Sequence, residues 1–143
     1  ILGHSERRSN FNESNEQINN KLEIILNSDL DVIFCFDSYE QVPFDILSTN
    51  LKDNSKLKLT LAYEPTWAIG TGKTASIEHI EEIHTKVKET LEENMLQEIP
   101  ILYGGSVNSS NSKEILDTNN VDGVLVGGAS TKIDQLLGIV NSI

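Results

Sequence analysis

Strand-like apolar segments alternate with amphipathic helical segments along most of this chain, and this alternation limits the possible folds more than any other feature. The predicted strands are DVIFCF (31–36), KLKLTLAY (56–63), IPILYGGS (99–106) and VDGVLVGGAS (121–130). Strand–helix repeats with short connections predict a parallel sheet covered by helices, which is the α/β class. Periodicity alone leaves a doubly wound sheet and a barrel as alternatives.

Two helical segments carry an apolar stripe behind a candidate N-cap. The first covers 14–26 and follows Ser14 or Asn12, and the second begins after Ser76. The stripe of the first consists of Ile18, Leu22, Ile25 and Leu26, and that of the second of Ile77, Ile80, Ile83, Val87 and Leu91. His79 and His84 lie within the second helix, and the pattern gives them no separate role.

The remaining helical segments are shorter. Asn111 and Glu114 have the spacing of a capping pair. Residues 38–54 are ambiguous, because helical spacing of apolar residues competes there with Pro43 and a polar tail. The segment 131–140 predicts a helix whose inward face consists of Ile133, Leu136, Leu137 and Val140.

Four strand ends run into polar or glycine-rich groups. These are GHSERR (3–8), YEPTWAIGTG (63–72), YGGS (103–106) and VGGAS (126–130). In a parallel α/β protein the carboxyl ends of the strands share one face, where binding and catalytic sites are built. The sequence therefore predicts one site assembled from all four segments.

The GTGKT motif at 70–74 is a poor candidate for nucleotide binding. A Walker A loop needs a glycine at position 67, which is Trp67 here. A dinucleotide fingerprint needs a direct turn from strand to helix, but six residues, 64–69, intervene. The loop that contains this motif has stiff ends, an apolar anchor at Trp67 and two glycines, Gly70 and Gly72. This composition favours a lid over the site, with an ordinary surface loop as the alternative.

Composition narrows the possible partners and location. With 22 acidic and 11 basic residues the formal charge is −11, which disfavours nucleic acid and anionic membranes but permits a small anion held by backbone N–H groups. A single cysteine, Cys35, fits a reducing compartment. No apolar run approaches the roughly 18 residues of a membrane span, and no signal peptide is visible. We therefore expect a cytoplasmic protein.

AYEPTWAIGTGKTA (62–75) closely resembles the base-bearing strand and lid of the triosephosphate isomerase family. GHSERR, YGGSV and VDGVLVGGAS resemble three further signature segments of that family in the same order. The resemblance implies a (β/α)8 TIM barrel that forms a single domain. Residues 1–143 would be roughly its C-terminal half, from the end of the fourth strand to the eighth helix.

The family interconverts dihydroxyacetone phosphate and D-glyceraldehyde 3-phosphate through an enediol(ate), in glycolysis and gluconeogenesis. The resemblance implies that Glu64 is the catalytic base and His4 the electrophile. It implies phosphate contacts at Gly70, Ser106, Gly127 and Gly128. It further implies a homodimer and neither cofactor nor metal.

Supporting roles also follow from the resemblance. Ser5 matches a residue that hydrogen-bonds the base, and Glu6 an acid behind the site. Tyr103, with Ser106, matches residues that bind the closed lid near Ala75 and Gly72. The resemblance also implies structural or interface ion pairing for Arg7, Arg8 and Glu13. A solvated charge cluster is the alternative for these three residues.

The chain departs from the family in several places. Asp37 and Ser38 replace the usual Gly-Glu pair, whose glutamate partners the lid tryptophan, so Trp67 is expected to be less firmly held. Asn12 replaces a usual glycine. The segment between Cys35 and Glu64 is expected to be about ten residues shorter than usual. The Asn-x-Lys pair of the family's first strand has no counterpart among these residues.

Two alternatives to an isomerase remain at this point. One is a different phosphate-binding barrel enzyme, which Glu64 together with His4 disfavours. The other is a catalytically inactive partial barrel, or assembly fragment, that lacks the lysine of the first strand.

Overall fold

Four parallel strands form one sheet in chain order in the computed structural model, which describes residues 1–51, 59–68 and 74–143. The strands are β1 Val32–Phe36, β2 Leu59–Tyr63, β3 Ile101–Tyr103 and β4 Gly123–Val124. Leu2 adds an isolated parallel bridge to Phe34, beyond β1. The predicted parallel arrangement is confirmed, and the carboxyl ends of these strands lie at one face.

Within residues 1–51, 59–68 and 74–143, six helices and three short 3-10 turns connect and cover the strands. The helices are α1 Ser5–Phe11, α2 Asn15–Leu26, α3 Phe44–Leu51, α4 Ile77–Glu93, α5 Ser112–Leu116 and α6 Ile133–Val140. The 3-10 turns are Tyr39–Gln41, Thr66–Ala68 and Gly128–Thr131. The first part of the ambiguous segment is therefore a turn followed by a helix of eight residues, and residues 52–54 lie outside the described residues.

Two of the predicted caps are confirmed and one is wrong. Ser14 accepts the N–H of Gln17 in a complete capping box, and Ser76 accepts the N–H of His79. Asn111 precedes α5, but its side chain makes no cap bond. Its Oδ1 instead accepts the N–H of Asn108 at 2.8 Å, and its NH2 group donates to Thr74 Oγ1 and to the Ser106 carbonyl, each at 3.0 Å.

The core lies between the helices and the sheet. Both faces of β2 are buried, with Leu61 and Ala62 fully inaccessible. Buried on both sides, these strands need apolar residues at nearly every position. The stripes of α2 and α4 pack into the same cluster, with Ile18, Leu22, Leu26, Ile80, Val87 and Leu91 buried and Ile25, Ile77 and Ile83 partly buried.

The predicted inward face of α6 is wrong. Ile133, Leu137 and Val140 are 66%, 50% and 53% exposed, Leu136 is half-buried, and Ile139 is the buried residue. Within the described residues β4 pairs with β3 alone, so the sheet does not continue beyond β4 on this side. An apolar stripe faces inward only where another element packs against it.

Across the three described ranges, none of the helices combines the length and apolarity that crossing a bilayer requires.

Candidate active site

Glu64 lies at the carboxyl end of β2. Its backbone N–H donates to the Phe36 carbonyl at 2.7 Å, which extends the ladder between β1 and β2 by one residue. Strand alternation places its side chain on the face opposite Tyr63. The residue is only 3% exposed, and its Oε2 accepts the backbone N–H of Ser5 at 2.9 Å. A buried carboxylate is thus held by a donor from the neighbouring segment.

His4 faces the same carboxylate from the N-terminus of α1. Its Nδ1 accepts the N–H of Glu6 at 3.4 Å, and its Nε2 lies 3.3 Å from Glu64 Oε1. Because Nδ1 is an acceptor, the proton of a neutral ring lies on Nε2. The imidazole therefore directs an N–H toward Glu64 and the space beside it.

The environment of Glu64 makes its carboxyl a weaker acid than usual. Burial raises the pKa of Glu64 above its ordinary value of 4.5, and this outweighs the opposing effects of the Ser5 N–H, His4 and the Cys35 thiol. Burial likewise raises the pKa of the Cys35 thiol, which remains protonated and donates to the carboxylate. No sequence pattern indicates that Cys35 reaches Glu64, because the contact depends on the β1–β2 register.

A cavity of about 660 Å³ opens beside Glu64 and His4 at the carboxyl ends of β2, β3 and β4. The structure thus brings together most of the predicted site, since the lining includes His4, Glu64, Ser106, Gly127 and Gly128. Lys132, which the sequence did not single out, also lines the cavity. Gly70 lies outside the described residues. Gly127 and Gly128 enter the 3-10 turn, and a Cβ at either would meet nothing within 4 Å.

The glycines after β3 allow close packing at the site. A Cβ on Gly104 would lie 2.9 Å from Glu64 Cγ, and one on Gly105 only 2.2 Å from the Tyr103 hydroxyl oxygen. No side chain of any size fits at Gly105 unless Tyr103 moves. Sequence reasoning missed this pair as site residues, because the close approach is visible only once β2 and β3 are paired.

Tyr103 and Ser106 hold both flanks of residues 69–73. The Tyr103 hydroxyl accepts the N–H of Ala75 at 3.2 Å, and Ser106 Oγ donates to the Ala68 carbonyl at 2.7 Å. The expected contact between Tyr103 and Ala75 is therefore present. The expected contact near Gly72 lies outside the described residues.

The turn that follows Glu64 is held by Asp37, one of the residues that departs from the family pattern. Its two carboxylate oxygens accept from the Thr66 N–H at 2.8 Å and the Thr66 hydroxyl at 3.0 Å. Trp67, next in the chain, is 51% exposed and packs against His79 with ring centroids 6.0 Å apart. Asp37, which stands at the place of the family's glycine, thus binds the neighbour of Trp67.

The charged residues around α1 have different environments. Glu6 is exposed and contributes its backbone N–H to His4. Buried Glu13 forms ion pairs with Lys21 and with Arg7, whose Nε is 3.5 Å away. Arg8 instead donates to the carbonyls of Gly3 and Cys35, at 2.9 and 3.2 Å, and so secures the turn before His4. In the described ranges no cluster of His, Cys, Asp or Glu could hold a metal ion.

The chain combines a parallel sheet and alternating helices with a carboxylate–imidazole pair beside a cavity at the strand ends. Together these features define part of a (β/α) barrel protein with an enzyme-like site. The family model described as "Triosephosphate isomerase" matches residues 1–143. The chain belongs to the triosephosphate isomerase family.

Curated relatives agree with this assignment. The chain is 45% identical to the triosephosphate isomerase of Flavobacterium johnsoniae and 42% identical to that of Flavobacterium psychrophilum, with all of the chain and 64% of each relative covered. It is 40% identical to the Entamoeba histolytica protein of the same name, of which it covers 61%. The chain thus spans less than two thirds of the length of these relatives.

These alignments also bear on chain length. The comparison with the Flavobacterium johnsoniae protein covers 159 positions, whereas the chain has 143 residues, a difference of 16 positions. The relative therefore has internal positions that have no counterpart in this chain, as the expected shortening of this chain requires. Their place between Cys35 and Glu64 stays a prediction.

Proposed function

We propose that the protein containing this chain is a triosephosphate isomerase that interconverts dihydroxyacetone phosphate and D-glyceraldehyde 3-phosphate through an enediol(ate). The observation that carries the proposal is the buried Glu64 carboxylate 3.3 Å from His4 Nε2 at the wall of the cavity. Membership of the family and relatives of that name support it.

Glu64 is the base that moves a proton between adjacent substrate carbons. Its raised pKa brings the carboxyl closer to the operating pH, where a general base is most effective. The Ser5 N–H and the Cys35 thiol hold it from the protein side. His4 donates its Nε2 proton to the substrate oxygens, which accept the negative charge that develops during proton transfer.

The phosphate lies against the ends of β3 and β4. Ser106, Gly127 and Gly128 line the cavity there, and Gly70 completes the proposed set from outside the described residues. Backbone N–H groups can hold a dianion locally despite the net charge of −11. Neither a cofactor nor a metal has a part in this mechanism.

The proposal extends to the whole protein. Residues 1–143 form the C-terminal portion of one TIM-barrel domain in a cytoplasmic homodimer that acts in glycolysis and gluconeogenesis. In the family, the lysine of the Asn-x-Lys pair faces the phosphate and the enediolate. In this proposal that pair comes from residues other than these 143.

A second candidate is a catalytically inactive partial barrel that serves as an assembly fragment. The exposed apolar face of α6 favours it, because such a surface promotes association without requiring catalysis. A turnover measurement separates the two candidates.

The test is a coupled isomerase assay on the native protein with Glu64→Gln, which removes the base but keeps the shape. We expect turnover to fall by about 10²–10⁴-fold. His4→Ala should lower kcat more than it changes KM. Glu89→Gln, an exposed position on α4, is the matched control and should retain wild-type turnover. Wild-type turnover in Glu64→Gln would show that Glu64 is not the base.

A further inference from the structure

His79 contacts residues on both sides of Glu64 in the chain. It lies in the first turn of α4, where its backbone N–H donates to the Ser76 cap. Its Nε2 is 3.0 Å from the Tyr63 hydroxyl, and its ring centroid is 6.0 Å from that of Trp67 at an interplanar angle of 52°. One side chain of α4 thus meets the residue before Glu64 and the turn after it.

The contact with Tyr63 has a defined direction. Tyr63 is 2% exposed, and burial raises the pKa of its hydroxyl to about 12, so the hydroxyl stays protonated and can donate. On the other side of the imidazole, Nδ1 lies 3.7 Å from Glu82 Oε2. This carboxylate favours a proton on Nδ1, which leaves Nε2 as the acceptor for the Tyr63 O–H.

The contact with Trp67 completes a frame around the turn Thr66–Ala68. Asp37 binds Thr66 from the end of β1, and Ser106 binds the Ala68 carbonyl from the end of β3. His79 meets the central residue, Trp67, from α4. The short segment between β2 and the end of the turn is therefore fixed by side chains from three elements.

We propose that His79 is a positioning residue, which clamps Tyr63 and Trp67 and thereby sets where the Glu64 carboxylate lies. The proposal rests on the proposed function of Glu64. Glu64 is joined directly to Tyr63 and separated from Trp67 by two residues, so movement of either neighbour moves the base. Gly127 and Gly128, which are proposed to hold phosphate, lie at the end of β4 and outside this frame, so we expect them to keep their positions.

The experiment compares His79→Ala and His79→Gln in the native protein by kcat, KM and Trp67 fluorescence. Trp67 emission is taken as the difference between each protein and its Trp67→Phe counterpart. For His79→Ala we expect changed Trp67 emission and a kcat lowered by about 10- to 100-fold, since displacing a catalytic group by about 1 Å can cost that much. KM should change less than kcat, because Gly127 and Gly128 hold the phosphate from the end of β4, whereas His79 lies in α4.

His79→Gln distinguishes positioning from simple packing. Glutamine keeps an acceptor for the Tyr63 hydroxyl, so it should recover most of the kcat lost in His79→Ala. Glu78→Ala, an exposed neighbour in the same turn of α4, is the control and should leave emission and kcat unchanged. An unchanged kcat in His79→Ala, with or without an emission change, would overturn the proposal.

A second readout does not need turnover. NMR titration of the Glu64 carboxyl should give a lower apparent pKa in His79→Ala than in wild type, because a displaced side chain is better hydrated. If the wild-type protein were not an isomerase, the proposed function would fail, and this titration would still decide whether His79 positions Glu64. An identical Glu64 titration in both proteins would overturn the proposal.

Discussion

Glu64, the proposed base, shows how a buried carboxylate is fixed by groups that oppose one another. Burial disfavours its ionised form, whereas the Ser5 N–H, His4 and the Cys35 thiol favour it. Burial prevails, so the pKa of Glu64 in the folded protein lies above that in the unfolded chain. Ionised Glu64 should therefore cost stability, which is a common property of residues kept for chemistry.

The sign of this effect can be tested by pH. Below the unfolded pKa, Glu64 is protonated in both states and contributes nothing to stability differences. As the pH rises through the unfolded and then the folded pKa, the folded state must release a proton that it holds more tightly, so the free energy of unfolding falls. Glu64→Gln has no such proton, and its Tm relative to wild type should therefore be higher at pH 8 than at pH 4.

Thermal unfolding of both proteins at the two pH values checks this prediction. Glu89→Gln, on the exposed face of α4, should show no such pH-dependent difference. A Tm difference between Glu64→Gln and wild type that is equal at pH 4 and pH 8 would contradict it.

At the residue scale the sequence predicted which groups meet but not what lies behind them. His4, Glu64, Ser106, Gly127 and Gly128 line one cavity, as parallel strand ends require. Behind Glu64 the structure adds the Cys35 thiol, and around its neighbours it adds His79. Those contacts depend on strand register and on the rotation of α4, neither of which a single sequence specifies.

At the element scale, the end of β3 controls how the loop after β2 is attached. The Tyr103 ring lies over Gly105, and its hydroxyl accepts from Ala75, the residue before the cap of α4. The absence of a side chain at Gly105 thus determines where α4 begins relative to the sheet.

Gly105→Ala tests this dependence. Its Cβ would lie 2.2 Å from the Tyr103 hydroxyl oxygen, so the ring must move and release the Ala75 N–H. Overpacking of this kind typically costs about 1–3 kcal/mol of stability. Gly127→Ala is the matched control, since its Cβ would meet nothing within 4 Å. Equal denaturant midpoints for Gly105→Ala and wild type would contradict the assignment.

The elements were predicted with uneven success for one physical reason. The stripes of α2 and α4 pack on the sheet, so periodicity identified their buried faces. The same reasoning failed for α6, where Ile133, Leu137 and Val140 are exposed in the described structure. Hydrophobic spacing reveals which face is to be covered, but the covering surface has to be present in the chain.

At the scale of the whole molecule, the described sheet leaves apolar surface and strand edges uncovered. β4 pairs on one side within the described residues, and α6 exposes Ile133, Leu137 and Val140. Unpaired strand edges and contiguous apolar patches both drive association. The net charge of −11 opposes association only over distances of about a Debye length, roughly 8 Å at physiological ionic strength.

We therefore expect an isolated polypeptide of residues 1–143 to be oligomeric or prone to aggregation and to have little or no isomerase activity. The proposed site would lack the family's first-strand lysine, and with it a major electrostatic contribution to transition-state stabilisation. Size-exclusion chromatography and a coupled assay on the purified polypeptide test both parts.

Replacing Leu137 and Val140 with lysine should reduce association if the face of α6 is the contact. Supplying the first three strand–helix units, in the same chain or as a separate one, should raise activity. A monodisperse monomer with near-normal turnover would contradict the prediction, and would mean that another residue, such as the cavity-lining Lys132, replaces the missing lysine.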